Sequence, residues 1–117
     1  MSLSLTTAVS AALFALAVGG TAAAQPSAAG PATIRVTAKD FKFVLSSKTV
    51  RHGRVKFVIR NTGHAAHDFK IAGRTSKTIG PGKTTTLTVP LKRGRYPYSC
   101  TVDSHAELGM KGVLRAV

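Results

Sequence analysis

The sequence predicts a small all-β sandwich, and three observations predict it. Past residue 32, apolar and polar residues alternate with period two, the spacing of strands that bury one face. Turn residues break that alternation at short intervals, at His52-Gly53, Asn61-Thr62-Gly63, Gly73, Gly80-Pro81-Gly82 and Arg93-Gly94, as tight connections between short strands require. A length of 117 residues leaves room for one domain, and the chain shows no internal repeat.

The chain opens in a different style. Residues 8–18 are apolar and uncharged, and they lead through Gly19-Gly20-Thr21 into Ala22-Ala23-Ala24. So short an apolar run, followed by small residues, reads as an export signal with its cleavage site rather than as a bilayer span. It lacks the usual basic start, since the first Lys or Arg is Arg35. Residues 1–24 are expected to be a signal peptide, 25–32 a linker, and 33–117 the folded domain of a periplasmic or secreted protein with no transmembrane span in its mature form. An uncleaved anchor or a misplaced start codon is the alternative.

Within the domain, Ile34 and Val36 alternate with Arg35 and Thr37, and Phe41, Phe43 and Leu45 share a face. Val55, Phe57 and Ile59 oppose Arg54, Lys56 and Arg60; Thr85, Leu87 and Val89 oppose Thr84, Thr86 and Thr88. On a strand starting at residue 67, His67, Phe69 and Ile71 point inward and Asp68 and Lys70 outward. On a strand ending at residue 100, Tyr96, Tyr98 and Cys100 share a face. Leu114 continues the face of Met110 on the last strand.

The charge is one-sided. Seventeen Lys and Arg against four Asp and Glu give +13, all of it after the linker, a field that bears on solubility and partner choice rather than on fold. The basic residues are scattered, only Lys92-Arg93 being adjacent, and no aromatic-interleaved recognition motif accompanies them. That argues against a nucleic-acid binder. It favours a partner with an acidic docking surface.

Chemistry concentrates between positions 100 and 110. The single cysteine, Cys100, lies there with His105 and Met110. In an exported chain an unpaired thiol is a hazard or a ligand, and a soft thiolate with an imidazole and a thioether suits copper. A trigonal copper site needs a second imidazole. His64 and His67 are both available, and strand parity aims His67 at the core while His64 sits on a loop, so His67 is the expected ligand. His52 is read as a turn histidine without a metal role. Gly109 and Gly112, which flank Met110, are read as relieving crowding near the site.

These residues resemble the cupredoxins, specifically the small bacterial plastocyanin/azurin-like proteins. The resemblance covers about Ile34 to Val117 and rests on Asn61 followed by His67-Asp68-Phe69, on the Gly80-Pro81-Gly82 turn before a Thr-rich strand, and on the run Tyr98, Cys100, His105, Gly109, Met110, Gly112. It implies a Greek-key sandwich and one copper ion held by His67, Cys100, His105 and Met110. Two departures stand out. Asp68 occupies a position often filled by Asn that ties the two ligand loops together, and an ionised carboxylate cannot donate, so that tie is expected to be rearranged or lost. Asp103-Ser104 stands where many relatives carry Pro-Gly.

The function expected is non-enzymatic: carriage of single electrons by a monomer cycling Cu(I)/Cu(II), with His105 as the port and Ala65, Ala66, Ala106 and Leu108 as an apolar docking patch. A periplasmic copper carrier using the same ligands is the first alternative. A metal-free module that binds acidic surfaces is the second. No hydrolytic triad or paired carboxylates point to substrate chemistry.

Overall fold

The alternating stretches form nine strands among the residues described by the computed structural model, 30–117. The expected signal peptide, 1–24, and most of the expected linker lie outside the described residues. The first strand starts at Ala32.

The strands are β1 (Ala32–Lys39), β2 (Lys42–Leu45), β3 (Thr49–Val50), β4 (Gly53–Asn61), β5 (Lys70–Ile71), β6 (Arg74–Thr75), β7 (Thr84–Leu91), β8 (Gly94–Ser99) and β9 (Lys111–Ala116). One sheet has the order β2-β1-β4-β7 and the other β3-β9-β8-β5-β6. Two pairings are parallel, β1 with β4 and β3 with β9, because the chain crosses between sheets instead of turning back as a hairpin. That crossing is the Greek-key sandwich the resemblance implied. Pro90 lies on β7, at the edge of its sheet, where a strand can do without one N–H donor.

Burial follows the alternation. Val36, Val55, Phe57, Ile59, Val89 and Leu114 are buried, while Arg35, Arg54, Lys56, Arg60, Thr86 and Thr88 are exposed. Phe69 lies at the middle of the core, its ring centroid 5.1 Å from Phe57, 5.2 Å from Phe43 and 5.4 Å from Tyr98. Phe69 stands two residues after His67, and Tyr98 two residues before Cys100. The same aromatic packing that closes the sandwich therefore fixes the two strand ends that carry those side chains.

The segment from residue 67 is less regular than the alternation predicts. Only Lys70–Ile71 is strand, and His67 makes an isolated bridge to Ile79. The reason lies in a side chain: Phe69 N–H donates to Ser76 Oγ at 3.0 Å rather than to a neighbouring strand. Inward parity survives for His67, Phe69 and Ile71, all buried. Asp68 departs from it, being buried too.

Candidate metal centre

Three strand ends and one loop meet at the same pole of the sandwich. Cys100 follows β8 directly, and its N–H donates to the carbonyl of Met110 at 3.1 Å. The chain then turns through Asp103, at φ 46°, a left-handed conformation that Asp tolerates better than most residues. His105 starts a single 3₁₀ turn over Ala106–Leu108, which Gly109 ends at φ 109°. Met110 N–H donates to the His105 carbonyl at 3.1 Å. The backbone of Met110 is thus bonded to both Cys100 and His105, and its side chain is fully buried.

His67 arrives from the other loop, which Asn61 braces. The fully buried Asn61 side chain donates from Nδ2 to the carbonyls of Ala65 and Ile79, both at 2.8 Å, and Oδ1 accepts from Gly63 N–H at 2.8 Å. Every polar atom of that amide is used. Replacing Asn61 by Ala should cost about 1–3 kcal/mol, because the Ala65 carbonyl and the Gly63 N–H lose their partner and the Ile79 carbonyl keeps only the His67 N–H. Thermal unfolding should show Tm falling by roughly 4–8 °C per kcal/mol for a domain of this size.

The donor atoms converge. His67 Nδ1 and His105 Nδ1 are 3.2 Å apart, and Cys100 Sγ lies 3.9 Å from the first and 3.6 Å from the second. Metal–nitrogen and metal–sulfur bonds of about 2.0–2.3 Å, set roughly 120° apart, place donors about 3–4 Å from one another. The three side chains are buried and spaced as ligands of one ion. Two imidazoles and one thiolate, with the buried Met110 on the same loop, are the donors that suit copper, so the residues fit the group. His64 is outside this cluster, with a fully exposed side chain. His52 is remote, bonded through N and Nδ1 to the Val117 carbonyl at 2.8 and 2.9 Å.

Two residues of the site are not singled out by the sequence reading. Asp40, just past β1, accepts from His67 Nε2 at 2.6 Å and from the N–H groups of His64 at 2.7 Å and Ala65 at 3.3 Å. Those bonds, the His64 N–H foremost, hold its carboxyl down at a pKa of about 2 against an ordinary 3.8. An ionised carboxylate only accepts, so His67 Nε2 carries the proton and Nδ1 turns its lone pair to the cluster. Phe41 covers both imidazoles, its ring 4.7 Å from that of His105 and 6.0 Å from that of His67.

Of the two outcomes expected for the tie between the ligand loops, rearranged or lost, the structure shows the first: Thr101 supplies the donors. Asp68 Oδ1 accepts from Thr101 N–H at 2.7 Å, and Oδ2 accepts from the Thr101 hydroxyl. The carboxylate needs no proton of its own because Thr101 supplies both. Burial pushes the Cys100 thiol pKa up, and backbone N–H groups of Asp68 and Val102 act in the other direction. The glycines also serve differently from the sequence reading. Gly109 makes the left-handed turn, and at Gly112 any Cβ would enter the Tyr98 ring; neither is a matter of crowding at the metal cluster.

A family profile for the cupredoxin-like domain matches residues 8–114. The chain belongs to the cupredoxin-like family. Among solved structures, this cupredoxin is similar to dithionite-reduced auracyanin from Roseiflexus castenholzii, with a TM-score of 0.64 and 22% identity over 75% of this chain and 99% of that one. Auracyanin A of Chloroflexus aurantiacus, described as a blue copper protein, matches with a TM-score of 0.60 and 19% identity over 75% and 100%. A copper-containing nitrite reductase from Thermus scotoductus matches with a TM-score of 0.53 and 18% identity over 72% of this cupredoxin and 26% of the enzyme. Comparison with curated protein sequences gives no significant match.

Proposed function

We propose that this cupredoxin is an exported, monomeric electron carrier, not an enzyme, in which His67, Cys100, His105 and Met110 would hold one copper ion. The observation that carries the reading is the set of three buried donors 3.2–3.9 Å apart. Copper, when bound, supplies a one-electron couple. The protein supplies the rest. The sandwich fixes the donors, Asp40 and Asp68 orient the two loops, and Phe41 keeps water from the imidazoles.

His105 is the proposed port. Around it Ala65, Ala66 and Ala106 are half-buried and Leu108 is exposed, an apolar patch on which a redox partner can dock. A copper carrier must give up its ion, and ligands buried as deeply as His67 and Cys100 favour retention instead. Among the described residues no helix is long and apolar enough to cross a membrane.

Titration with Cu(II) tests the reading. An intense visible thiolate-to-copper band with a reversible voltammetric wave is expected; absence of the band overturns the copper assignment. A band without reversible reduction, together with copper transfer to an apo-enzyme, favours the carrier.

Both carboxylates should lower the reduction potential, since negative charge near a partly desolvated cation stabilises its higher oxidation state. Asp40→Asn and Asp68→Asn are each expected to raise it by tens of millivolts, roughly 59 mV corresponding to 1.4 kcal/mol for one electron. The Asp40 change should be the larger because that carboxylate bonds a ligand ring directly. Voltammetry of the two variants measures both shifts.

With 17 basic and 4 acidic residues, docking to an acidic partner should be steered by charge and screened over about 10 Å at roughly 0.1 M salt. Stopped-flow transfer to such a partner should slow by about tenfold or more between low salt and 0.5 M. Transfer to a neutral small-molecule oxidant should hardly change.

A further inference from the structure

The charges are segregated along the sandwich. All four acidic residues lie at the metal pole: Asp40 on His67, Asp68 on Thr101, and Asp103 and Glu107 in the ligand loop. The opposite pole is where β8 and β4 begin and β9 and β7 end. It carries exposed Lys48, Arg51, Arg54, Lys92, Arg93, Arg95 and Arg115 and no acidic side chain.

At that pole Arg93, Arg95 and Arg115 line one shallow hollow of about 520 Å³ with Gly94, Ala116 and Val117. Arg95 and Arg115 stand directly opposite each other across the β8–β9 ladder, an arrangement that like charges make unfavourable. Among the described residues the only ion pairs are those of Asp40 with histidines. None of the three guanidinium groups has a carboxylate. With no carboxylate within ion-pair distance, the concave cluster presents planar donors, and phosphate oxygens match that fork in both charge and geometry.

Chain direction identifies the source of the phosphate. β1 runs from Ala32, paired with Val55, to Lys39 beside Asp40, so residue 30 enters at the arginine pole. Where the uncharged run 8–18 is retained as the uncleaved anchor rather than removed as a signal peptide, an apolar segment precedes residue 30, on the side of the arginines. A bilayer is the phosphate-bearing surface that both features can meet together, since an apolar segment and a basic cluster are the two signals whose combination holds a protein at anionic lipid.

We propose that the arginine hollow formed by Arg93, Arg95 and Arg115 binds the phosphate headgroups of an anionic membrane. Docked there, the domain stands with its metal pole about 20 Å further from the lipid, the length of β8, and His105 faces soluble partners.

The test uses the full chain and vesicles of phosphatidylglycerol mixed with phosphatidylcholine, with pure phosphatidylcholine vesicles reporting the share of the apolar segment. Binding to the anionic vesicles is expected to weaken roughly 100-fold in the triple variant Arg93→Gln, Arg95→Gln, Arg115→Gln, at about fivefold per basic residue. The control triple Lys39→Gln, Lys42→Gln, Lys83→Gln removes equal charge from the metal pole and should weaken it less than about threefold. Circular dichroism shows that both variants fold; should the arginine triple fail to, Arg95→Gln alone is expected to weaken binding about fivefold. Equal losses in the two variants would reduce the effect to net charge and overturn the proposal. So would equal binding of the unaltered chain to both kinds of vesicle. Release by low millimolar inorganic phosphate at constant ionic strength would make the hollow a free-phosphate site, and tighter arginine-dependent binding of duplex DNA would make it a nucleic-acid site; either overturns the membrane assignment.

Discussion

Replacing Cys100 by serine is expected to abolish the intense visible band of the copper-loaded protein completely while the sandwich stays folded. Cys100 is buried, and serine fills a similar volume. The stability change should therefore stay within about 1–2 kcal/mol. What serine cannot supply is the soft thiolate on which the band depends. Absorbance of the Cu(II)-loaded variant, with unfolding followed by circular dichroism, decides the matter. Retained intense colour would remove Cys100 from the site.

The second large effect separates two histidines only three positions apart. His67→Ala should lose the visible band and weaken copper binding by at least about 100-fold, because a fully buried donor disappears and the Asp40 carboxylate loses the imidazole it orients. His64→Ala should leave the band and the affinity within about twofold. The His64 ring is fully exposed, so its Nδ1, 3.7 Å from Asp40 Oδ2, is screened by solvent, and the backbone N–H that bonds Asp40 is one that alanine keeps. Spectra of the two variants side by side test the pair. The reverse outcome would place the second imidazole on the loop.

How far the site could be read in advance depended on how each residue is placed. Cys100, His105 and Met110 lie on one short loop, so their proximity is covalent and visible in the chain. His67 could be preferred over His64 because period-two parity ties its direction to Phe69 and Ile71, whose burial the alternation already requires. The same parity misled at Asp68. Parity says which way a side chain leaves a strand, but Thr101 of the other ligand loop folds over that position and supplies two donors that make a buried carboxylate affordable. The rearranged tie between the loops follows from this contact.

Asp40 and Phe41 were silent for a stronger reason. They stand 27 and 26 positions before His67, just past a strand that pairs in parallel with β4, and no local pattern links them to the ligand loop. Only the β1–β4 register brings the carboxylate under the imidazole. A weak signal was available in composition: in a chain with four acidic residues against seventeen basic ones, each acid is unusual enough to ask what holds it.

By itself the sequence determined the class of fold, the pole-to-pole alternation of buried and exposed residues, and the types of donor offered to a metal. These depend on local spacing and on the chemistry of single side chains. Tertiary structure alone decided that three donors close to within 4 Å of one another, that Asp40 sets the tautomer of His67, and that the arginines gather at the pole without an acid. Each of those depends on which strands pair and in what register, a property of contacts between residues far apart in the chain.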